Sequence, residues 1–167
     1  TIVSSATDGP TLTAAARASC IPTADRIVLP TNFFAIGRAL RIFLHGRISN
    51  AVTTPGTARF DVCLGSAGTT IVYDSGALNL NIVAKTTVPW WMEIDLTCRA
   101  VGISTSTTFF GTGRFTSEAV ILSAAAGVGS VGVILAPVGA PAVGAGFDNT
   151  AASALDVFFT PTAATGS

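Results

Sequence analysis

An all-β fold, an antiparallel two-sheet β-sandwich of jelly-roll type with about eight strands, follows from three observations. Apolar residues recur with period two, the signature of strands whose alternate side chains face opposite sides. Short runs of Val, Ile, Phe and Thr are separated by clusters of Gly, Pro, Asn and Asp. Neither a βαβ alternation nor an internal repeat is present, which excludes parallel α/β folds, solenoids and propellers. A jelly roll is preferred to an immunoglobulin-like sandwich because the connections are uneven and the chain is longer than about 100 residues.

In chain order, Thr1 to Asp25 reads as an N-terminal arm ahead of a single domain over 26–167, with at most a turn or two of helix around Thr11 to Ala18 and again near Ala124. The first strand is expected over Arg26 to Leu29. In Arg38 to Ile48, Leu40, Ile42, Leu44 and Ile48 alternate with Arg41, His45 and Arg47, and Phe43 is the one apolar exception on the polar side. In Thr57 to Gly65, Ala58, Phe60, Val62 and Leu64 alternate with Thr57, Arg59, Asp61 and Cys63, so a dry face and a wet one are expected. Thr70 to Asp74 follows. The clearest alternation is Trp90 to Ala100, where Trp90, Met92, Ile94, Leu96 and Cys98 oppose Trp91, Glu93, Asp95, Thr97 and Arg99. Further strands are expected over Thr107 to Thr116, Ala119 to Leu122, Val128 to Leu135 and Leu155 to Thr160. Turns fall at Ser49 to Gly56, Gly65 to Gly68, Asp74 to Gly76 and Phe147 to Thr150.

Charge is scarce. Of 167 residues only 11% are charged, against roughly 25% in an average soluble domain. A compact monomer of this mass exposes on the order of 7,600 Å², so each charge serves about 420 Å². Ser and Thr, 36 together, and 27 Ala fill part of the deficit, and the high apolar content excludes disorder. Nine basic residues balance nine acidic ones without any basic cluster, which argues against a nucleic-acid partner. Arg outnumbers Lys eight to one and Asp outnumbers Glu seven to two, the bias of surfaces that become buried in contacts.

Cys20, Cys63 and Cys98 fit neither a disulfide framework nor a zinc spacing, so reduced folding in a cytoplasm is expected. Thr1 to Pro10 has no signal-peptide pattern. The uncharged run Ala119 to Phe147 is long enough for a membrane span, but Pro137, Pro141 and its glycines break a helix, and no membrane partner is expected. Gly127, Gly129 and Gly132 match a GxGxxG pattern without the following helix a dinucleotide site requires, so no cofactor is expected. His45 is the only histidine and no GxSxG elbow or Ser-Lys spacing accompanies it. An enzyme is not expected.

The remaining signal is one of contact. Adjacent strand residues point oppositely, so Trp90 belongs in the core and Trp91 outside it, where an aromatic can anchor a protein or offer a platform to a sugar ring. Each of the pairs Phe33/Phe34 and Phe109/Phe110 likewise leaves one ring facing away. Candidate contact residues are Trp91, Glu93, Arg41, His45, Arg47, Phe33 and Phe110, with Val131, Val133 and Val138 from the uncharged segment.

Two segments, Trp90 to Gly102 (WWMEIDLTCRAVG) and Gly146 to Thr160 (GFDNTAASALDVFFT), resemble small virion structural proteins of tailed bacteriophages, closest to the jelly-roll decoration or cement proteins of the capsid exterior. Pro161 departs from that pattern. The resemblance implies assembly in a host cytoplasm and a place on the outside of the virion, as a homotrimer clamped over junctions of the major capsid protein. The alternative expectation is a carbohydrate-binding or receptor-binding module of a tail or fibre head that uses Trp91.

Overall fold

The structure is a computed structural model and describes residues 7–50, 54–121, 132–144 and 146–163. Its strands are β1 (Ala18–Ser19), β2 (Ile27–Leu29), β3 (Ala39–Asn50), β4 (Thr57–Leu64), β5 (Thr70–Asp74), β6 (Leu78–Asn79), β7 (Lys85–Ala100), β8 (Thr108–Ser117), β9 (Gly132–Ala136) and β10 (Ser153–Pro161). All pairings are antiparallel. One sheet runs β1-β10-β4-β5, with β2 also on β10 and β6 on β4; the other runs β3-β7-β8-β9. They pack face to face as the expected β-sandwich. β10 lies between β1 and β2 on one side and β4 on the other, while β7, β8 and β9 follow one another as a meander.

Period two builds the interior. Met92, Ile94, Leu96 and Cys98 of β7 face Ala58, Phe60, Val62 and Leu64 of β4 and Val157 of β10, all at most 1% exposed. Phe60 collects Trp90, Phe115 and Phe159 around it at 5.0–5.4 Å between ring centroids. Near the other end Phe34, Phe109 and Phe147 pack edge-on and stacked. Asn149 ties the loops there: its side chain accepts from the Phe34 N–H and donates to the Phe34 carbonyl, and its backbone binds Asn32 and Gly102. Such pairing of buried backbone groups is what allows loops to close over an apolar core.

The inward positions of β8 read Phe109, Gly111, Gly113, Phe115, and the two glycines form a slot. Tyr73 of β5 fills it: a Cβ on Gly111 would lie 2.5 Å from Tyr73 Cδ2, and one on Gly113 would lie 3.0 Å from its hydroxyl. The β5 strand reaches this position through a register shift at Val62/Cys63 that lets both Val72 and Tyr73 be buried. The small-residue run after β9 has a local purpose too. Val138 N–H donates to the Ser75 carbonyl and Gly144 N–H to the Phe109 carbonyl, so this segment closes the gap between β8 and β5. A side chain at Gly144 would run into the Val72 carbonyl.

Several expectations are corrected. The outer face of β4 is not wet: Asp61 and Cys63 are buried beneath the end of the expected arm. Arg17 Nε donates to Asp61 Oδ2 at 2.7 Å and its Nη2 to Cys63 Sγ at 3.0 Å, while its guanidinium stacks over Phe158. Ser19 Oγ donates to Asp156 Oδ1 at 2.6 Å, and Arg26 Nε stands 3.1 Å from Asp156 Oδ2. Residues 17–26 are therefore part of the sandwich, held by two buried carboxylates. Ala119 to Leu122 does not form the expected strand; Val120 makes a single bridge to Leu80, and Leu122 lies outside the described residues. So do Gly127, Gly129, Val131 and the piece around Ala124, whereas Gly132 opens β9. Thr11 to Ala18 is not helical, and one 3-10 turn at Thr23–Asp25 is the sole helical element among the described residues. No helix among them is long and apolar enough to cross a membrane.

Two predictions follow from this packing. Gly111→Ala drives a methyl into the Tyr73 ring and is expected to cost about 1–3 kcal/mol, whereas Thr112→Ala on the opposite face should stay within about 0.5 kcal/mol; urea denaturation of the two variants measures the difference. Burial pushes the Cys63 thiol up to about 11, against the pull of Arg17, and the Cys20 thiol up to about 12, with Asp156 and Asp61 adding to it. The folded protein thus holds these protons more tightly than the unfolded chain. Their contribution to stability is complete below about pH 8.5 and is lost as pH rises through 11 to 12. Denaturation midpoints from neutral to alkaline pH should be flat and then fall. Replacing Cys20 and Cys63 by Ala should reduce that fall.

Candidate functional site: the outer face of the four-stranded sheet

The outward residues of β3, β7, β8 and β9 stand in cross-strand rows fixed by the register. Arg41, Asp95 and Thr112 form one row; Phe43, Glu93, Arg114 and Leu135 the next; His45, Trp91, Thr116 and Val133 the third. Arg47 extends this face beyond the third row opposite Pro89, and Phe110 beyond the first opposite Thr97. Seven of the ten residues expected from the sequence, Trp91, Glu93, Arg41, His45, Arg47, Phe110 and Val133, are therefore brought onto a single surface.

The charges at the centre of this face, Arg41, Arg114, Glu93 and Asp95, neutralise one another. Arg41 makes a forked contact with Asp95, Nε to Oδ1 at 2.7 Å and Nη2 to Oδ2 at 3.1 Å, and lies 3.5 Å from Glu93 Oε1. The hydrogen bond and the charge of Asp95 raise the Arg41 pKa, so that the guanidinium stays charged. Arg114 holds the other oxygen of Glu93, with Nε at 2.8 Å and Nη2 at 2.7 Å, and its guanidinium carbon sits 4.9 Å above the Trp91 ring. One chain of contacts therefore runs Asp95, Arg41, Glu93, Arg114, Trp91. It fixes the long side chains in place, which lowers the entropy a partner would have to remove on docking.

Around this network the surface is apolar. Leu135 is 76% exposed, Phe43 63%, Val133 54% and Trp91 37%. Apolar side chains of that size on a sheet that already has a core on its other side mark a contact surface. Beyond β9 an open groove of ≈ 480 Å³ is lined by Leu78, Ile121, Val133, Leu135, Pro137 and Val138.

Phe33 and Val138 lie elsewhere. Phe33 is in the loop before β3, edge-on to Phe34 and beneath Arg38, which also donates to the Phe33 carbonyl. Val138 belongs to the segment that crosses to β5. Phe110 is partly shielded by Arg99, whose guanidinium carbon is 6.0 Å from its ring. The sequence reading missed Phe43, Arg114 and Leu135. The signal for Phe43 was present, since it is the one apolar residue on the polar side of its strand; Arg114 gains importance only from the strand order that seats it beside Glu93, and Leu135 from the pairing of β9 that seats it beside Arg114.

His45 lies opposite Trp91 across the β3–β7 ladder and is exposed. Among the described residues no group of three or more His, Cys, Asp and Glu is placed to hold a metal ion. The surface is flat, and what it offers is contact area: aromatic and aliphatic anchors around fixed guanidinium and carboxylate groups. The class the fold defines is an antiparallel β-sandwich. Compared with protein families, with curated proteins and with solved structures, the chain matches none.

Because Arg114 covers one face of the indole, Arg114→Ala is expected to raise acrylamide quenching of Trp91 fluorescence, read in a Trp90→Phe background. The cost in stability should stay below about 1 kcal/mol, since the pair is largely exposed.

Proposed function

We propose that the protein is a structural component of a tailed-phage virion that self-associates and decorates the capsid exterior, seating the outer face of β3, β7, β8 and β9 on the major capsid protein. The observation that carries this reading is the coincidence on one rigid sheet of Phe43, Trp91, Val133 and Leu135, all exposed, with charges already paired to one another. A face of this composition gains from being covered, because apolar area leaves water and few charges need new partners. Support also comes from the resemblance of the Trp90 to Gly102 and Gly146 to Thr160 segments to capsid decoration proteins, and from a net charge of zero, which suits a shell exterior better than contact with packaged genome. Carbohydrate recognition at Trp91 is less well supported, since the Arg114 guanidinium already covers one face of the ring.

The test is rebinding to purified virions stripped of this chain. Wild-type protein should cosediment with them at a fixed ratio to the major capsid protein, and Trp91→Ala combined with Leu135→Asp should abolish it. A chain absent from purified virions, or one whose tryptophan emission saturates on titration with oligosaccharide, would overturn the proposal.

A further inference from the structure

A sandwich of two open sheets has four edges, and proteins normally protect such edges because their unpaired N–H and C=O groups can recruit another strand. Three of the edges here are short or closed. In the first sheet one edge is formed by β1 and β2, of two and three residues. The opposite edge, β5, has five residues and is continued by Ser75, whose carbonyl accepts from Val138 N–H. In the second sheet β9 has five residues. The fourth edge is β3, with 12 residues, no proline, and no register shift before Ile48.

The direction of its backbone groups follows from the pairing. Cys98 N–H donates to the Arg38 carbonyl, so in the antiparallel ladder the even residues Leu40, Ile42, Leu44, Gly46 and Ile48 bond to β7. The odd residues Ala39, Arg41, Phe43, His45 and Arg47 turn their N–H and C=O groups away from the sheet. Each of these five is exposed, and among the described strands β3 pairs with β7 alone.

We propose that this edge pairs with the same edge of a second copy, antiparallel and across a two-fold axis through Phe43. Phe43 is the midpoint of the outward-bonding run, so the register that pairs all five residues sets Phe43 on Phe43. Arg41 then lies opposite His45 of the second copy, and Ala39 opposite Arg47. The register is self-complementary in charge: Arg41 is already neutralised by Asp95, and Arg47 meets a methyl group. On the inner side Leu44, only partly buried in the single chain, comes beside Ile42 of the second copy. Registers displaced by two residues pair fewer groups and set Phe43 against Arg41 or His45. A two-fold strand pairing is an isologous contact and stops at two copies. It replaces the threefold ring that the resemblance implies.

This pairing deepens the self-association proposed above, and its test separates the two. Sedimentation and light scattering at micromolar concentration should give twice the 16.8 kDa of the chain. Phe43→Lys sets like charges on the axis at an exposed position and should weaken the pair by roughly tenfold or more, with the thermal midpoint of the separated chain preserved. Trp91→Ala, on the docking face, should leave the pair intact. Phe43→Cys should be joined efficiently by a short bis-maleimide and Leu135→Cys should not, the native thiols being buried or of raised pKa. A monomer at these concentrations overturns both the pairing and the self-association. A trimer, or an oligomer dissolved by Trp91→Ala and untouched by Phe43→Lys, overturns the edge pairing while leaving self-association standing.

Discussion

Strand β7 is the constraint on which the molecule depends. Its 16 residues lie between β3 and β8, so every backbone group along its middle is bonded on both sides. Because side chains alternate along it, one strand supplies both the driest part of the core, Met92 to Cys98, and the acidic centre of the outer face, Glu93 and Asp95. A slip of one residue would exchange those two sets, placing carboxylates against Phe60 and Val62. The cost of burying unpaired charge makes that register untenable, and the rows of the outer face inherit their order from it.

Much of this was legible in the residues because one face of each long strand is apolar. Thr70 to Asp74 was located to the residue, and the strands beginning near Arg38, Thr57 and Leu155 to within a few positions. Where the reading failed, tertiary structure had overridden local pattern. β7 begins at Lys85, five residues before the expected start at Trp90, since this stretch carries no alternation and is held by the pairing of Lys85, Val88 and Pro89 with Asn50, Ile48 and Arg47 of β3. Ala119 and Val120 are apolar because the core needs them, although they form no strand. For the site, period two assigned Trp91, Glu93, Arg41, His45 and Arg47 to outward positions, but strand order is a property of the whole fold. The Arg114 to Glu93 and Arg114 to Trp91 contacts could not be read without it.

The scarcity of charge acquires a physical account in the folded chain. At least six of the nine basic and six of the nine acidic side chains stand in ion pairs. They are concentrated in two places: across the outer face of the second sheet, and beneath residues 17–26, where Asp61 and Asp156 sit 2% and 1% exposed. The second set is structural. Buried carboxylates need partners, and Arg17, Ser19 and Arg26 supply them from a segment that otherwise has little apolar surface with which to bind the sandwich. The predominance of Arg over Lys suits both places, since a forked, weakly hydrated guanidinium can satisfy a carboxylate and cover an aromatic ring together.

The partnership of the earliest strands with β10 has a consequence for biosynthesis. Ala18 and Ser19 pair with Phe159 and Phe158, and Ile27 to Leu29 with Leu155 to Ser153, so β1 and β2 must wait for β10. On the ribosome, β4 and the segment before β2 have no neighbour between them until β10 emerges, and the carboxylate of Asp61 has no roof. Loop closure over such a separation is slow, and the incomplete sheet is open to association with other nascent copies. Polar, hydroxyl-rich sequence in the first 25 residues keeps that waiting segment hydrated until β10 arrives to complete the fold.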